Sequence, residues 1–261
     1  MADYEIINDN LREALAAFAL VRAGGRAVHL PGLSLVYAGV PYGLFNTALI
    51  TATLPSDQGC FYDQVDRAED FFQRYNVPWS VWFCDEMMTP EERRRARVAL
   101  ATRGLRLTME APGMIASAVI AADGELPRLH FTRVENPATR EHFSRVMSEA
   151  FSVPMDMSRD VYCSDTLWTS SMTGWIGYLG HEAVTTAAVV NTPGSIGLYA
   201  VATLPRHQRR RYAEAVMRHA IAAASAQLHL GQTVLQSTHA GYPLYVRMGY
   251  RPVSRYFVYV K

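Results

Sequence analysis

Three consecutive arginines, Arg209, Arg210 and Arg211, stand where a β-type segment gives way to a long helical pattern. The start of a helix offers unpaired backbone N–H groups and the positive end of the helix dipole, so it suits an anion. Guanidinium groups add charge there and can bind phosphate oxygens through paired hydrogen bonds. An arginine run can also be an ordinary solvated helix start. Its position directly after residues 201–205 favours phosphate binding.

Several side chains could act as a proton acceptor, but no pattern singles one out. Glu182 follows a predicted strand turn, His239 follows a predicted strand, and Glu149 lies on a predicted helix. Burial could tune any of them into a general base. Each is equally compatible with a surface or packing role, so the sequence assigns no base.

The sequence lacks the patterns of two other enzyme classes. Among eight histidines, His181-Glu182 has no second histidine four residues later, and Cys60, Cys84 and Cys163 fit no zinc spacing. We expect reduced cysteines and no metal. The surroundings of Ser34 lack a nucleophile elbow, which argues against a serine hydrolase.

Alternating helical and β-type patterns would position these residues. Helices are predicted over 10–23, from about 65 to 75 and over 90–103, the last with a Thr89/Glu92 capping box. Strands are predicted within 33–54, at 79–84 and at 105–109. Trp79, Trp82, Phe83 and Trp175 could line a cleft, although strand aromatics more often form a core.

A polar, turn-rich stretch at 123–127 predicts a boundary between two lobes. Beyond it we expect strands at 129–134, 175–179, 183–190, 196–204, 233–236 and 253–260, with helices from Asn136, from Tyr212 and over 243–248. Residues 52–55 with Gln58 recur as residues 202–205 with Gln208, which suggests tandem copies of one unit. In the first copy, residues 56–61 contain an acidic residue but no basic residue, so a second phosphate site is not expected.

From residue 201 to residue 250 the sequence resembles the acyl-CoA-binding part of GNAT N-acetyltransferases. The family's loop reads Gln or Arg, two residues, Gly, one residue, then Gly or Ala, and this chain has Gln208, Arg211 and Ala213 at those three positions. The resemblance implies a pyrophosphate site at Gln208, Arg209, Arg210, Arg211, Tyr212 and Ala213. It further implies that the strand at Val201, Ala202 and Thr203 binds pantetheine, with free backbone groups at Val201 and Thr203.

The segment 235–250 resembles the family's closing strand and helix, with its Leu-Tyr-x-x-x-Gly-Tyr ending. Tyr245 matches the tyrosine that in many relatives protonates the departing CoA thiolate, a role within reach of a phenol. The alternative is that Tyr245 only packs.

These observations predict an α/β (α+β) protein with a mixed, mostly antiparallel twisted sheet flanked by helices. A degenerate GNAT-like lobe would span 1–123 and shape the acceptor cleft or a dimer contact, and a catalytic lobe would span 128–261. We expect a cytoplasmic enzyme that transfers an acetyl group from acetyl-CoA to a small-molecule or peptide amine. With a net charge of +1, no nucleic acid or membrane partner is expected. The alternative is a non-catalytic binding module that has lost acyl-CoA affinity through Arg211.

Overall fold

The computed structural model describes residues 1–52 and 60–261. The predicted repeat at residues 52–58, and most of the 56–61 stretch, lie outside the described residues. Seven α-helices are described: α1 (Asp3–Ala19), α2 (Phe61–Gln73), α3 (Pro90–Thr102), α4 (Pro137–Phe151), α5 (Met155–Tyr162), α6 (Tyr212–Leu228) and α7 (Tyr242–Arg247). The pattern did not predict α5, and α1 begins earlier than predicted.

Eleven strands are described; every predicted strand segment overlaps at least one of them, and the strand at Arg26–Leu30 was not predicted. They are β1 (Arg26–Leu30), β2 (Leu33–Tyr37), β3 (Thr47–Ile50), β4 (Ser80–Cys84), β5 (Arg106–Ala116), β6 (His130–Arg133), β7 (Met172–Leu179), β8 (Glu182–Thr192), β9 (Ser195–Thr203), β10 (Thr233–Gln236) and β11 (Arg251–Val260). The protein is therefore a mixed α/β protein with a mostly antiparallel sheet flanked by helices, as predicted.

The chain divides into two compact units, whose limits differ from the lobes expected from sequence. Unit 1 holds Met1–Met114, Gln236–Ala240 and Pro252–Lys261, and unit 2 holds Ile115–Leu235 and Gly241–Arg251. The sequence pattern reveals the polar stretch at 123–127, but it does not reveal strand pairing. The C-terminal strand β11 belongs to unit 1 because it pairs antiparallel with β4, with Phe257 opposite Phe83.

The strand order in unit 1 is β1-β2-β3-β4-β11-β5, and β3 and β4 are parallel. The order in unit 2 is β10-β9-β8-β7-β6, with β10 parallel to β9. In both units, chain order gives an antiparallel run of strands, then a helix, a parallel strand and another helix. Parallel pairing requires such a crossover, which is the role of α2 in unit 1 and α6 in unit 2.

Buried strands form the centre of each unit. All residues of β3 and β4 are buried, as are Ala183–Val190 of β8. Strands covered on both faces read as continuous apolar runs, which is why the sequence pattern found them. Trp79 and Trp82 are at most 8% exposed, so they are core residues rather than the cleft lining considered above, and Phe83 is buried as well, at 1% exposure.

Local capping explains where two of the helices begin. Thr89 Oγ1 accepts from the Glu92 N–H at 3.2 Å and Glu92 Oε2 accepts from the Thr89 N–H at 2.7 Å, as the capping box predicted. Asn136 caps α4, because its Oδ1 accepts from the Thr139 N–H at 3.0 Å. In each case Pro occupies the first helical turn, where no N–H is needed.

A fully buried asparagine ties together three segments of unit 1. Asn46 Oδ1 accepts from the Ala38 N–H at 3.1 Å, and Nδ2 donates to the carbonyls of Val40 at 2.8 Å and Pro78 at 2.9 Å. Asn46 is 0% exposed, so water cannot replace these bonds. Its amide therefore fixes the turn after β2 against the segment that leads into β4.

We expect Asn46→Ala to lower the free energy of unfolding by about 3 kcal/mol, because two buried backbone groups, at Ala38 and Val40, and the part-buried carbonyl of Pro78 lose their partner. Urea denaturation followed by circular dichroism measures this loss. The control is Asn136→Ala, which removes only a helix cap and should cost about 1 kcal/mol. Equal losses in the two variants would contradict the role given to Asn46.

Candidate functional site

The loop between β9 and α6 has an unusual backbone. After a 3-10 turn at Pro205–His207 and extended Gln208, both Arg209 and Arg211 are left-handed with φ of 61°. Left-handed backbone costs a non-glycine residue about 1–2 kcal/mol, so glycine is favoured there. Arg211 occupies the position where the resemblance led us to expect glycine, and it adopts the conformation that glycine would favour.

This backbone leaves a row of donors at the start of α6. Within the described residues, none of the N–H groups of residues 209–214 donates to a backbone or side-chain acceptor. The first of these bonds on α6 runs from the Ala215 N–H to the Arg211 carbonyl at 3.0 Å. Unpaired N–H groups at the positive end of a 17-residue helix form an anion site.

The three arginines have different roles. Arg209 and Arg210 are exposed and form no hydrogen bond or ion pair within residues 1–52 and 60–261. Arg211 instead donates to Glu214, with Nε 3.1 Å from Oε2, and to the Asp123 carbonyl at 2.7 Å. Its guanidinium also reaches the Glu125 carbonyl at 3.3 Å. The Arg211 guanidinium is thus engaged within the protein, and whether it also contacts a phosphate stays a prediction.

Glu214 is the buried centre of this arrangement. It is 3% exposed and its carboxylate lies between Arg211 and Arg218, whose Nε is 3.0 Å from Oε1. Burial alone would raise the pKa of Glu214, but the hydrogen bonds from Arg211 and Arg218 outweigh it and lower the pKa. Arg218 also donates to the Ile120 carbonyl at 2.6 Å. The pair of arginines thus fastens the segment 120–125 to the start of α6.

An ion-pair cluster supports the beginning of the loop. Arg206 Nη1 donates to Glu149 Oε2 at 2.8 Å, and Arg206 Nε donates to Glu182 Oε1 at 3.1 Å. His207 Nε2 lies 2.9 Å from Glu182 Oε2. Hydrogen bonds from Arg206 first, and then from His207, lower the pKa of Glu182. Glu149 and Glu182, two of the three candidate bases, therefore serve as partners of the loop.

The end of β9 separates from β10. The two strands are in register only at Thr233 with Ile196 and Val234 with Gly197. Ala200 then has φ of 47°, at a β-bulge in the pairing with β8. Whether Val201 and Thr203 offer free backbone groups at this divergence stays a prediction. Gln208 Nε2 donates to the Thr203 carbonyl at 3.4 Å.

Tyr245 lies on α7, in the same unit as the loop. It is 8% exposed, and its ring is edge-on to that of Tyr250, with 5.8 Å between centroids. Burial raises the pKa of Tyr245 to about 12, so the phenol carries its proton at neutral pH. Its hydroxyl has no hydrogen-bond partner among the described residues. His239, the third candidate base, is exposed and belongs to unit 1.

Two groups of site residues escaped the sequence analysis. Glu214 stands three residues after Arg211 and four before Arg218, a helical spacing that predicts two ion pairs. Thr185 and Thr186 are buried polar residues within the apolar strand β8. Their hydroxyls donate to the carbonyls of Ala202 at 2.7 Å and Ala200 at 3.1 Å, which holds the bulge in β9. Both signals were present in the sequence.

Within the part of the chain that the structure describes, no three His, Cys, Asp or Glu side chains gather as metal ligands would. The three cysteines are free thiols. None of the described helices has both the length and the apolar character needed to cross a bilayer.

Solved structures with similar folds have low sequence identity to this chain. A GCN5-related N-acetyltransferase from Kribbella flavida matches with a TM-score of 0.72 and 15% identity, over 100% of this chain and 96% of its own. A GNAT-family protein from Novosphingobium aromaticivorans matches with 0.55 and 16%, over 94% and 97%. A tandem GNAT protein from the clavulanic acid biosynthesis pathway matches with 0.54 and 12%, over 92% and 80%. None of the curated proteins matches.

A match between the sequence and a family model is more direct evidence of the family than similarity in fold. Residues 137–250 match the model of the acetyltransferase (GNAT) family. The matched range includes α4, the strands β7 to β10, the loop between β9 and α6, and Tyr245. Residues 137–250 therefore form a domain of the GNAT acetyltransferase superfamily, within a chain whose fold is that of GNAT proteins.

Proposed function

We propose that this protein is an N-acetyltransferase that takes the acetyl group of acetyl-CoA and transfers it to an amine. The observation that carries the proposal is the row of unpaired N–H groups at residues 209–214, beside the unpaired guanidinium groups of Arg209 and Arg210. A diphosphate offers several acceptor oxygens and negative charge to such a site. The GNAT family match over residues 137–250 supports the same substrate.

The proposed reaction is a direct transfer. The nitrogen lone pair of the amine attacks the carbonyl carbon of the thioester, the C–N bond forms, and the C–S bond breaks with its electrons on sulfur. We assign Tyr245 as the acid that gives its proton to the thiolate, since its raised pKa keeps it protonated at neutral pH. The proton of the amine passes to a base that we leave unassigned.

Arg211 supports binding through its backbone in this proposal. Its left-handed φ exposes the neighbouring N–H groups, while its guanidinium is occupied by Glu214, Asp123 and Glu125. The departure from glycine at this position is thus compatible with an acyl-CoA site. The alternative, a non-catalytic module that has lost this affinity, predicts the opposite result in the binding experiment below.

We further propose that unit 1 is a degenerate copy of the same fold, with a role in shaping the acceptor site or a dimer contact. The recurrence of the same order of strands and helices in both units supports this. The similarity in fold to a tandem GNAT protein agrees with it. The acceptor class, a small-molecule amine or a peptide amine, and a cytoplasmic location remain predictions.

Acetyl-CoA should stabilise the protein against heat, because a ligand that binds only the folded state shifts the unfolding equilibrium. At a hundredfold excess over its Kd the gain is about 2.7 kcal/mol. Differential scanning fluorimetry measures this, and acetyl-pantetheine, which has the thioester but no diphosphate, should stabilise far less. The absence of any shift at millimolar acetyl-CoA would support the non-catalytic alternative.

Substitutions of Arg210 and Arg211 should have different effects on the affinity for acetyl-CoA and on the free energy of unfolding. Arg210→Gln should weaken acetyl-CoA binding about tenfold without a change in unfolding free energy, because its exposed guanidinium contacts only the ligand. Arg211→Gln should keep the affinity within about twofold and lower the unfolding free energy by about 1–2 kcal/mol, because buried Glu214 loses one of its charged partners. Calorimetric titration and urea denaturation give both quantities, and the reverse pattern would refute the assignment.

Tyr245→Phe should lower kcat by about a hundredfold or more, with little change in the Kd for acetyl-CoA, because only proton transfer is lost. Thiol release during turnover measures kcat once an amine acceptor has been found. Tyr250→Phe is the matched control, since the Tyr250 hydroxyl is buried without a partner beside Tyr245 and should not affect turnover. Wild-type kcat in Tyr245→Phe would remove Tyr245 from the reaction.

A further inference from the structure

Unit 1 contains a groove lined by arginines and aromatic rings, and the residues that line it lie outside the GNAT-family segment 137–250. The groove has a volume of about 250 Å³ and lies between α3 and the face of β4, β11 and β5. This arginine groove has walls of Arg93, Arg94, Arg97, Arg255 and Glu110 over a floor of Phe83, Phe257 and Tyr259.

The floor consists of three aromatic rings that pack against one another. The rings of Phe83 and Tyr259 are nearly parallel, at 11° with 5.9 Å between centroids, and those of Phe83 and Phe257 lie 5.5 Å apart. All three residues are buried, so only the small part of each side chain that lines the groove meets solvent. Such a surface suits a flat apolar group.

Asp85 holds two of the arginines in place. Its Oδ1 accepts from the Arg255 backbone N–H at 2.7 Å, and its Oδ2 lies 3.6 Å from Arg255 Nε and 3.7 Å from Arg93 Nη1. Arg93 also donates to the Asp85 carbonyl at 3.1 Å. The Arg255 guanidinium lies 5.1 Å from the centroid of the Phe257 ring. These contacts hold the side chains of Arg93 and Arg255 in place within the groove.

The groove has more positive than negative charge. Four arginines face two carboxylates, Asp85 and Glu110, and Glu110 pairs with Arg255 at 3.4 Å. Arg94 and Arg97 have no ion pair or hydrogen bond within the described residues. The surplus is thus two positive charges, carried by two guanidinium groups that are available to a ligand. Guanidinium groups favour phosphate and carboxylate through paired hydrogen bonds.

We propose that the arginine groove binds a phosphate monoester of a flat, ring-containing small molecule. A phosphate monoester carries close to two negative charges near neutral pH, which matches the surplus charge. Its phosphate would bind Arg94 and Arg97, and its ring would lie against the aromatic floor. The volume is below the usual range of about 300–1,000 Å³ for drug-sized ligands, which favours a small molecule. The site is independent of the proposed acetyl transfer.

The test uses phenyl phosphate as the probe, titrated calorimetrically into the full-length protein. Binding should weaken at least tenfold in Arg97→Gln, whose side chain lines the groove. Arg95→Gln, the matched control, removes the same charge from the same helix, but Arg95 pairs with Glu91 and does not line this groove. The affinity of Arg95→Gln for phenyl phosphate should stay within twofold of that of the wild type.

Two further measurements test where the probe binds and whether the aromatic floor contributes. Phenyl phosphate should still bind the double variant Arg209→Gln/Arg210→Gln. Loss of binding in that variant would place the probe at the loop before α6 and overturn the proposal. Inorganic phosphate should bind at least fivefold more weakly than phenyl phosphate, and equal affinity would overturn the role of the aromatic floor. No binding of phenyl phosphate to the wild type, or equal binding to Arg97→Gln, would also overturn the proposal. Circular dichroism checks that each variant is folded.

Discussion

The buried carboxylate of Glu214 is the interaction on which the candidate site depends. A carboxylate with almost no contact with water is stable only if positive groups satisfy it, and here Arg211 and Arg218 both do so. The same two arginines reach carbonyls in the segment 120–125, so the two ion pairs of Glu214 fix the start of α6, the loop before it and this segment together. The exposed N–H groups of the loop depend on that support.

Much of the fold could be predicted from the sequence. Apolar runs and capping residues gave β4, β8 and α3 within a few residues, because burial on both faces and a Thr-Pro-Glu-Glu start are local signals. The helix α5 was missed, since its eight residues carry no cap hydrogen bond from a side chain. The position of β11 was missed for a different reason: which strand it pairs with depends on the tertiary fold, which no local pattern encodes.

The candidate site could be predicted less completely. The sequence identified the residues of the loop and Tyr245, but it gave the three arginines one role. Separate roles arise because Arg211 has a buried acid and two carbonyls within reach, while Arg209 and Arg210 have neither an acid nor a carbonyl partner among the described residues. Likewise, Glu149 and Glu182 looked like possible bases until their pairing with Arg206 was known. Side-chain partners across the fold decided each case.

The composition of unit 1 has a consequence for biosynthesis. Unit 2 ends at Arg251, whereas unit 1 needs Pro252–Lys261, whose strand lies between β4 and β5. A ribosome therefore releases every residue of unit 2 before it releases the last strand of unit 1, although unit 1 contains the first 114 residues. Until then β4 has an open edge, and exposed edges are prone to aggregation. The earliest part of the nascent chain thus stays prone to edge-to-edge association until β11 has been made.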